Sequence, residues 1–290
     1  MSLVILVTGA TAGIGRHAAL ELARRGHHVF AAGRRRDALE VLKKEAGEKK
    51  LDTLVLDVTD PDSIETARRE IDRVTKGRGV DAIVNNAGWG LAGPLEEVSD
   101  KELREQFETN VFGLMSITRT FVPKMRERGF GRVVNISSIG GRVTFPMMGA
   151  YHATKYAVEA LSNALRMELG AFGVAVSLIE PGAIRTEFSD VAMKAVSRYE
   201  NGAYGAIVRR ANEMNDRFMK TAVGPEHTTR AIVNALESRR PAARYVAPRR
   251  ASIVFALFAL IPTRWMDGLL RAVMRMNRKK LFQAPAQQPG

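Results

Sequence analysis

Cysteine is absent from this chain of 290 residues, which excludes disulfide bonds and thiolate metal sites. Histidine is scarce as well, with 5 residues. Four of them, His17, His27, His28 and His227, show no spacing typical of metal ligands. We therefore predict no metal site in this protein.

Acidic residues are outnumbered: 31 Asp and Glu stand against 44 Lys and Arg, a net charge of +13. Such an excess is compatible with nucleic acid, an anionic membrane or anionic small ligands. Local basic clusters occur at residues 34–36, 239–240, 249–250 and 278–280. Aromatic residues are not interleaved with these clusters, so we predict no nucleic-acid binding and assign most of the charge to the solvated surface.

Targeting signals and long apolar runs are also missing. The N-terminal apolar run has no basic region before it, so we predict no signal peptide and expect a cytoplasmic protein. The apolar run at 251–261 is shorter than the roughly 20 residues that a spanning helix needs. Residues 265–280 combine apolar and basic residues in a pattern typical of an amphipathic helix at a membrane surface, a subunit interface or a substrate mouth.

What the chain does contain is an alternation of apolar runs and helical patterns. Strands are predicted at 3–8, 29–32, 51–56, 80–85, 133–136, 174–179 and 244–246. Helices are predicted at 16–25, 37–46, 61–76 and 99–125, the last one bent near Pro123, with a further helix starting at Tyr151. Because the strands are apolar throughout, they indicate a parallel sheet covered on both faces. The prediction is an α/β, Rossmann-like doubly wound sheet of about seven strands.

Neither an internal repeat nor a clear linker divides the chain. We predict a single domain over residues 1–250, with a helical segment at about 187–225 that could act as a substrate lid. Residues 251–290 form an apolar and basic extension, and the last few residues read as a disordered end.

Three glycines, Gly9, Gly13 and Gly15, stand between the first strand and the following helix. Glycine permits a tight turn and lets backbone amides approach a pyrophosphate at a helix N-terminus. At the end of the second strand, an acidic residue would hydrogen-bond the ribose of NAD, but the chain has Arg34 and Arg35 there. These guanidinium groups suit a 2′-phosphate, so we predict NADP(H), with exposed arginines at a helix start as the alternative.

Tyr151 and Lys155 lie four residues apart in a helical pattern, so a phenol and an ammonium should lie side by side. A free tyrosine has a pKa of about 10, and a nearby positive charge should lower that pKa. Hydroxyls at the end of the preceding strand, Ser137 and Ser138, could hold a carbonyl oxygen beside the phenol. His152 turns about 100° away from Tyr151 and is interpreted as a packing or surface residue.

Taken together, the sequence resembles the short-chain dehydrogenase/reductase family over roughly residues 3–188. The matching motifs, in the family's order, are Thr8-Gly9-Ala10-Thr11-Ala12-Gly13-Ile14-Gly15, Asp57-Val58, Asn85-Asn86-Ala87-Gly88, Asn110, Ser138, Tyr151-x3-Lys155 and Pro181-Gly182 with Thr186. Each motif is short, but their joint occurrence is highly specific. The region after about residue 190 matches no motif.

The resemblance implies roles for these residues. Tyr151 would be the acid or base, Lys155 would hold the nicotinamide ribose and lower the pKa of the tyrosine, Ser138 would bind the substrate oxygen, and Asn110 would anchor a water. Ser137 is expected to face elsewhere. The implied cofactor contacts are Gly9, Thr11, Ala12, Gly13, Ile14, Gly15, Arg34, Arg35, Asp57, Val58, Asn86, Ala87, Gly88, Tyr151, Lys155, Pro181, Gly182, Ile184 and Thr186.

Apolar side chains suggest a hydrophobic substrate, which could be steroid-, retinoid- or lipid-like. The predicted substrate contacts are Ser138, Tyr151, Trp89, Met148 and Phe188; Val143, Phe145, Met147, Met193 and Phe218 are further candidates. Two extra core helices are the alternative interpretation of the region after 186.

The sequence thus predicts an NADP(H)-dependent oxidoreductase that interconverts a ketone or aldehyde and an alcohol. An NADP-binding sensor without catalysis and a membrane-surface protein of the same fold are the alternatives. The family resemblance also favours a homodimer or homotetramer packed through the two long helices.

Overall fold

The computed structural model describes residues 2–249, 261–274 and 276. Most of the predicted apolar run at 251–261 and the predicted end of the chain lie outside the described residues. The elements below are numbered in chain order.

The described residues form one sheet of seven parallel strands in the order β3-β2-β1-β4-β5-β6-β7. The strands are β1 Val4–Thr8, β2 His28–Gly33, β3 Leu51–Val55, β4 Ala82–Asn85, β5 Gly131–Ile136, β6 Val174–Pro181 and β7 Arg244–Ala247. The predicted Rossmann-like sheet is therefore confirmed. Its strand order reverses between β1 and β4, the place where ligands bind in open α/β sheets.

Helices connect these strands. They are α1 Gly13–Arg24, α2 Arg36–Ala46, α3 Pro61–Val74, α4 Asp100–Phe107, α5 Leu114–Glu127, α6 Gly149–Gly170, α7 Glu187–Val196, α8 Gly205–Lys220, α9 Glu226–Glu237 and α10 Thr263–Val273. The predicted start of α1 at residue 16 was too late in the chain, because the helix already begins at Gly13. A glycine in the first turn carries no apolar side chain that a periodic pattern could detect.

Alternating side chains of the strands pack on two layers of helices. Ile5 and Val7 of β1 belong to a buried cluster that includes Leu22 of α1 and Ile232 of α9. On the opposite face, Leu6 shares a second cluster with side chains of α3 and α5. The strands are apolar throughout because both of their faces are buried.

The helix predicted over 99–125 is not continuous. A π-helical turn, Glu108–Gly113, separates α4 from α5, whereas Pro123 lies inside α5. Close packing accompanies this turn: a Cβ on Gly113 would lie 2.9 Å from the carbonyl oxygen of Val58. The irregularity therefore occurs where the helix passes the end of β3, ten residues before the proline that the prediction relied on. Single π turns often lie at functional sites.

The segment between β6 and β7 is helical, as the composition predicted. Val196, Tyr199 and Val208 pack with Met147 in an apolar cluster beside the sheet, and Met274 after α10 joins this cluster. A hydrogen bond from Arg210 Nε to the carbonyl of Val273, 3.2 Å long, also connects α8 with α10. Among the described residues, none of the helices has both the length and the apolarity needed to cross a membrane.

Candidate active site

A cavity of about 870 Å³ lies along the carboxyl ends of the strands. Nearly all of the predicted site residues contribute to its wall. Those that do are Gly9, Thr11, Ala12, Gly13, Ile14, Arg34, Arg35, Asp57, Val58, Asn86, Ala87, Gly88, Trp89, Ser138, Met148, Tyr151, Lys155, Pro181, Gly182, Ile184, Thr186 and Phe188. Gly15 and Asn110 lie behind the wall.

The glycine turn after β1 has a backbone that only glycine adopts readily. Gly9 and Gly13 have φ values of +65° and +52°. Gly15 has no room for a side chain, because a Cβ there would collide with the carbonyl oxygen of Gly9 and the amide of Asn86. Asn86 in turn donates from Nδ2 to the carbonyls of Thr8 and Gly9, each at 3.1 Å. The hydrogen bonds of Asn86 thus stabilise the glycine turn, and the missing side chain of Gly15 leaves room for them.

The N-terminus of α1 faces the cavity. Its N-cap residue, Ala12, offers no capping side chain, and the first turn holds no acidic residue. Ala12, Gly13 and Ile14 line the cavity, so the partial positive charge of the uncapped first turn is available to a ligand. This arrangement fits a pyrophosphate.

Arg34 and Arg35 lie at one end of the cavity and are both exposed. Arg34 Nη1 is 3.9 Å from Asp57 Oδ2, and Arg35 Nη2 donates to the carbonyl of Thr11 at 3.4 Å. The other oxygen of Asp57 accepts from the backbone and the hydroxyl of Thr59, at 2.9 and 2.8 Å. Two guanidinium groups with long, weak contacts remain free to bind a phosphate at this end.

Tyr151 is buried near the middle of the cavity. Burial raises the pKa of Tyr151 to about 12, and hydrogen bonding with the Ser138 hydroxyl acts in the opposite direction. Ser138 Oγ accepts from the backbone of Gly140 at 3.0 Å, which fixes the hydroxyl at the end of β5. The Phe188 ring covers the phenol, with 5.3 Å between the ring centroids.

Lys155 lies one turn after Tyr151 and is also buried, with Nζ 5.7 Å from the centroid of the tyrosine ring. It donates to the carbonyl of Ile136 at 2.9 Å. Burial lowers the pKa of Lys155 to about 8, while the charge of Glu159 raises it. We expected the lysine charge to lower the pKa of Tyr151; the structure instead shows burial as the dominant influence, because the phenol lies in the protein interior.

Asn110 lies behind the cavity wall, in the π turn. Its side chain accepts from the backbone of Trp89 at 3.1 Å and donates to the carbonyl of Trp89 at 3.0 Å and to Thr154 Oγ1 at 3.1 Å. These bonds join the loop after β4 to α6. The structure thus gives Asn110 a positioning contact with the segment that carries Trp89.

Sequence reasoning missed an ion cluster around two buried carboxylates behind Lys155. Arg244 Nη1 lies 2.7 Å from Glu159 Oε2 and 2.9 Å from Glu180 Oε1, and Arg142 Nη1 lies 3.4 Å from Glu180 Oε2. The pKa of Glu159 is raised, first by burial, and hydrogen bonding with Ser137 opposes this rise. Ser137 also lines the cavity, so the expectation that its hydroxyl faces away from the substrate stays a prediction. The position of Glu159, four residues after Lys155, was the available signal.

The opposite end of the cavity is apolar. It is lined by the expected residues Trp89, Phe145, Met147, Met148, Phe188, Met193 and Phe218. Val143 does not line the cavity; it packs behind the wall against Ile139 and Phe145. Sequence reasoning missed further contributors to this end: Gly90, Ala92, Pro146, Ala192, Ala211, Met214, Asn215, Leu270 and Met274. A Cβ on Gly90 would lie 2.8 Å from the Phe188 ring, so a larger residue at this position would displace the ring. No spacing rule marks such scattered positions.

His152 is buried at the junction between the two ends of the cavity. Its Nδ1 accepts from the backbone of Phe145 at 3.1 Å, so the neutral ring carries its proton on Nε2. Burial lowers the pKa of His152 to about 4. The ring thus holds the loop that enters the apolar end, in agreement with the predicted packing role. Within the described part of the chain, acidic and histidine side chains form no group suited to a metal ion.

Comparison with known proteins defines the class of this fold and site. The family model of the short chain dehydrogenases matches residues 3–196. The chain belongs to this family and is an oxidoreductase with a Rossmann-like fold.

Three relatives resemble the chain over nearly its full length. It is 38% identical over 269 residues to the uncharacterized oxidoreductase YbbO of Escherichia coli K12, covering 92% of this chain and 93% of the relative. It is 35% identical to the NADPH-dependent 3-dehydrocapnine reductase of Ornithobacterium rhinotracheale, covering 96% and 98%. Identity to the 3-ketodihydrosphingosine reductase of Bacteroides thetaiotaomicron is 30%, with coverage of 94% and 97%.

Among solved structures, the chain resembles the closed form of serine dehydrogenase complexed with NADP+, with a TM-score of 0.72 and 31% identity. The match covers 84% of this chain and 93% of that one. The family therefore includes close structural neighbours that bind NADP.

Proposed function

We propose that this protein is an NADP(H)-dependent oxidoreductase that interconverts a ketone or aldehyde and an alcohol on a hydrophobic substrate. One observation carries this proposal. The wall of one cavity brings together Tyr151, Lys155 and Ser138. On one side of them lies the end formed by the glycine turn with Arg34 and Arg35, which we call the cationic end, and on the other side lies the apolar end. When NADP(H) is bound, the cofactor supplies or accepts the hydride.

The chain's own residues hold and move the proton. In reduction, the Tyr151 hydroxyl donates its proton to the carbonyl oxygen; in oxidation, Tyr151 accepts it. Ser138 donates a hydrogen bond to the same oxygen and so stabilises charge that develops there. A pKa of about 12 keeps the phenol protonated at neutral pH, which suits it to act as an acid.

Lys155, with a pKa of about 8, keeps most of its positive charge at neutral pH. The buried ammonium favours the phenolate that forms as the proton leaves Tyr151. Asn110 holds the loop of Trp89 against α6, and we propose that it also supports the water of the proton relay.

The cationic end of the cavity favours NADP(H) over NAD(H). Arg34 and Arg35 line the cavity where β2 ends, and the end of β2 offers no carboxylate to a ribose. An NADPH-dependent relative and an NADP+-bound structural neighbour support the same choice. We assign the pyrophosphate to the uncapped start of α1 and the carboxamide to Thr186, whose side chain lies within 3.2 Å of the place that a Cβ on Gly13 would take.

A hydrophobic substrate is favoured by the apolar end of the cavity. Methionine and aromatic side chains dominate there, including Met148, Met214 and Phe188. By its name, the relative of Bacteroides thetaiotaomicron is a 3-ketodihydrosphingosine reductase, which is compatible with a carbonyl substrate. We propose residues 187–225 as the lid of this end and residues 1–250 as one catalytic domain.

An assembly of two or four copies is the arrangement we propose in solution. Phe112, Tyr156, Met167 and Phe172 are large apolar side chains exposed at the π turn, on α6 and just after it. Such residues are suited to a subunit interface. A sensor without catalysis is disfavoured, because sensing needs no buried phenol beside a lysine.

Calorimetry with NADPH and with NADH tests the cofactor, and a carbonyl screen with NADPH tests the reaction. We expect NADPH to bind more tightly and apolar ketones or aldehydes to be reduced. Equal or tighter binding of NADH would overturn the cofactor assignment. Tight NADPH binding without turnover of any carbonyl or alcohol would favour the sensor.

A further inference from the structure

Helix α10 carries two apolar stripes, one that lines the cavity and one that is largely exposed. Leu270, together with Met274 just after the helix, lines the apolar end of the cavity. Trp265, Leu269 and Val273 follow each other at intervals of four residues and therefore share a different face. These three side chains are 74%, 47% and 40% exposed.

The exposed stripe is accompanied by basic residues. Arg264 and Arg271 lie on α10 with a single acidic residue, Asp267. The neighbouring α8, joined to α10 through the bond from Arg210 to Val273, has four basic and two acidic residues in its sequence GAIVRRANEMNDRFMK. An amphipathic helix with an apolar face, a tryptophan and flanking cations is typical of proteins that lie on anionic membranes.

The exposed stripe lies beside the entrance to the cavity. Phe218 of α8 lines the apolar end, yet its side chain is 46% exposed, so the cavity reaches the surface there. Leu270 lines the same end from α10, one residue after the exposed Leu269. A surface that docks through Trp265 would therefore lie close to this entrance.

We propose that α10 docks on an anionic lipid bilayer through Trp265, Leu269 and Val273, and that an amphiphilic carbonyl substrate enters the cavity from the lipid between α8 and α10. The substrate part of this inference rests on the proposed function, whereas the docking part does not.

A second copy of the chain fits the exposed stripe less well. A symmetric dimer through this face brings α10 against its own counterpart. Each copy of α10 carries two arginines and one aspartate, so a dimer would bring two helices of net positive charge close together, which is unfavourable. An anionic bilayer presents the opposite charge to the same helix.

Co-sedimentation of the full chain with vesicles tests the docking. One set of vesicles contains phosphatidylcholine with phosphatidylglycerol, and the other contains phosphatidylcholine alone. We expect binding mainly to the anionic vesicles, weakened by salt, and a loss of about tenfold or more in the Trp265→Ser/Leu269→Ser double variant. The matched control is Val41→Ser/Val55→Ser, which removes two exposed valines from α2 and β3 and should bind as the wild type does.

Equal binding by the wild type and Trp265→Ser/Leu269→Ser, or no vesicle binding by the wild type, would overturn the proposal. So would a dimer, detected by ultracentrifugation without lipid, that only Trp265→Ser/Leu269→Ser abolishes. Tryptophan fluorescence gives an independent measurement: in a Trp89→Phe background, the emission of Trp265 should shift to the blue on anionic vesicles, and an unchanged spectrum would contradict insertion.

Turnover separates this inference from the proposed function. With NADPH and a short, water-soluble carbonyl, the double variant should match the wild type; with a long-chain ketone held in anionic vesicles, it should be slower by about the same factor as its lost binding. Docking without any carbonyl turnover would retain the membrane surface and refute the enzyme activity. Equal turnover of the vesicle-held ketone by both proteins would refute entry from the lipid.

Discussion

The two ends of the cavity are built in different ways. The cationic end is formed by strand ends and tight turns, where Asn86 bonds the carbonyls of Thr8 and Gly9 and leaves little freedom. The apolar end is formed by helices after β6 and by methionines such as Met148 and Met214. Methionine is flexible and fills irregular shapes. The comparison suggests one end fixed for a single ligand and one end that adapts to the substrate.

The largest expected effect lies between the two ends. Replacing Tyr151 with Phe removes the proton donor, so turnover should fall by about 10²- to 10⁴-fold in steady-state assays. NADPH affinity, measured by calorimetry, should change little, because the phenol contributes to the chemistry. The control is Tyr156→Phe, an exposed tyrosine on the same helix. Full turnover by Tyr151→Phe would refute the acid-base assignment.

The junction of the two ends should respond to pH. His152 has a pKa of about 4 in the fold and an ordinary value of 6.5. Below pH 6.5 the unfolded chain binds a proton that the folded chain does not bind until about pH 4. The stability of the fold therefore decreases as the pH is lowered from 6.5 to 4. The free energy of unfolding should decrease by up to about 1.4 kcal/mol per pH unit from this residue.

Denaturant unfolding at several pH values measures this slope. The difference between wild type and His152→Gln isolates the contribution, because the other groups titrate in both proteins. His227→Gln, which changes a half-buried histidine outside the cavity, is the matched control. Parallel curves for the wild type and His152→Gln would show that the burial of His152 does not affect its titration.

The cationic end can be perturbed alone. Arg34→Ala should weaken NADPH binding by about 1.5–3 kcal/mol, the scale of a hydrogen bond to a charged group, and leave NADH binding unchanged. Arg36→Ala is the matched control, because Arg36 is exposed on α2 but does not line the cavity. Calorimetry measures both cofactors. A similar loss for NADPH and NADH would mean that Arg34 supports the turn rather than a 2′-phosphate.

The apolar end should give the smallest effect. Met214→Ala removes part of the cavity wall, so kcat/KM for a bulky apolar substrate should fall roughly fivefold. This corresponds to a loss of about 1 kcal/mol in transition-state stabilisation. A small carbonyl and NADPH affinity should be unaffected. Val41→Ala removes an exposed apolar side chain of α2 that does not line the cavity, and this variant should behave as the wild type. If Met214→Ala instead changed NADPH affinity, the two ends would not be independent.

The residues of the cationic end were easier to predict from the sequence than those of the apolar end, for a physical reason. Glycines that need a positive φ, an arginine where a strand ends and a tyrosine four residues before a lysine are local patterns, since each depends on a few consecutive residues. The irregularity of the helix predicted over 99–125 was wrongly placed near Pro123. It lies in the π turn at Glu108–Gly113, which accompanies packing of Gly113 on Val58, a residue distant in sequence.

The sequence by itself determined the parallel sheet, the cofactor turn and the residues offered for proton transfer, because apolar periodicity and turn chemistry are local. Only the tertiary structure decided that burial dominates the pKa of Tyr151 and that Glu159, Glu180 and Arg244 gather behind Lys155. Tertiary packing also placed Met274 against the apolar end from about sixty residues beyond Met214. Burial and charge depend on contacts between segments far apart in the chain, and no local pattern records them.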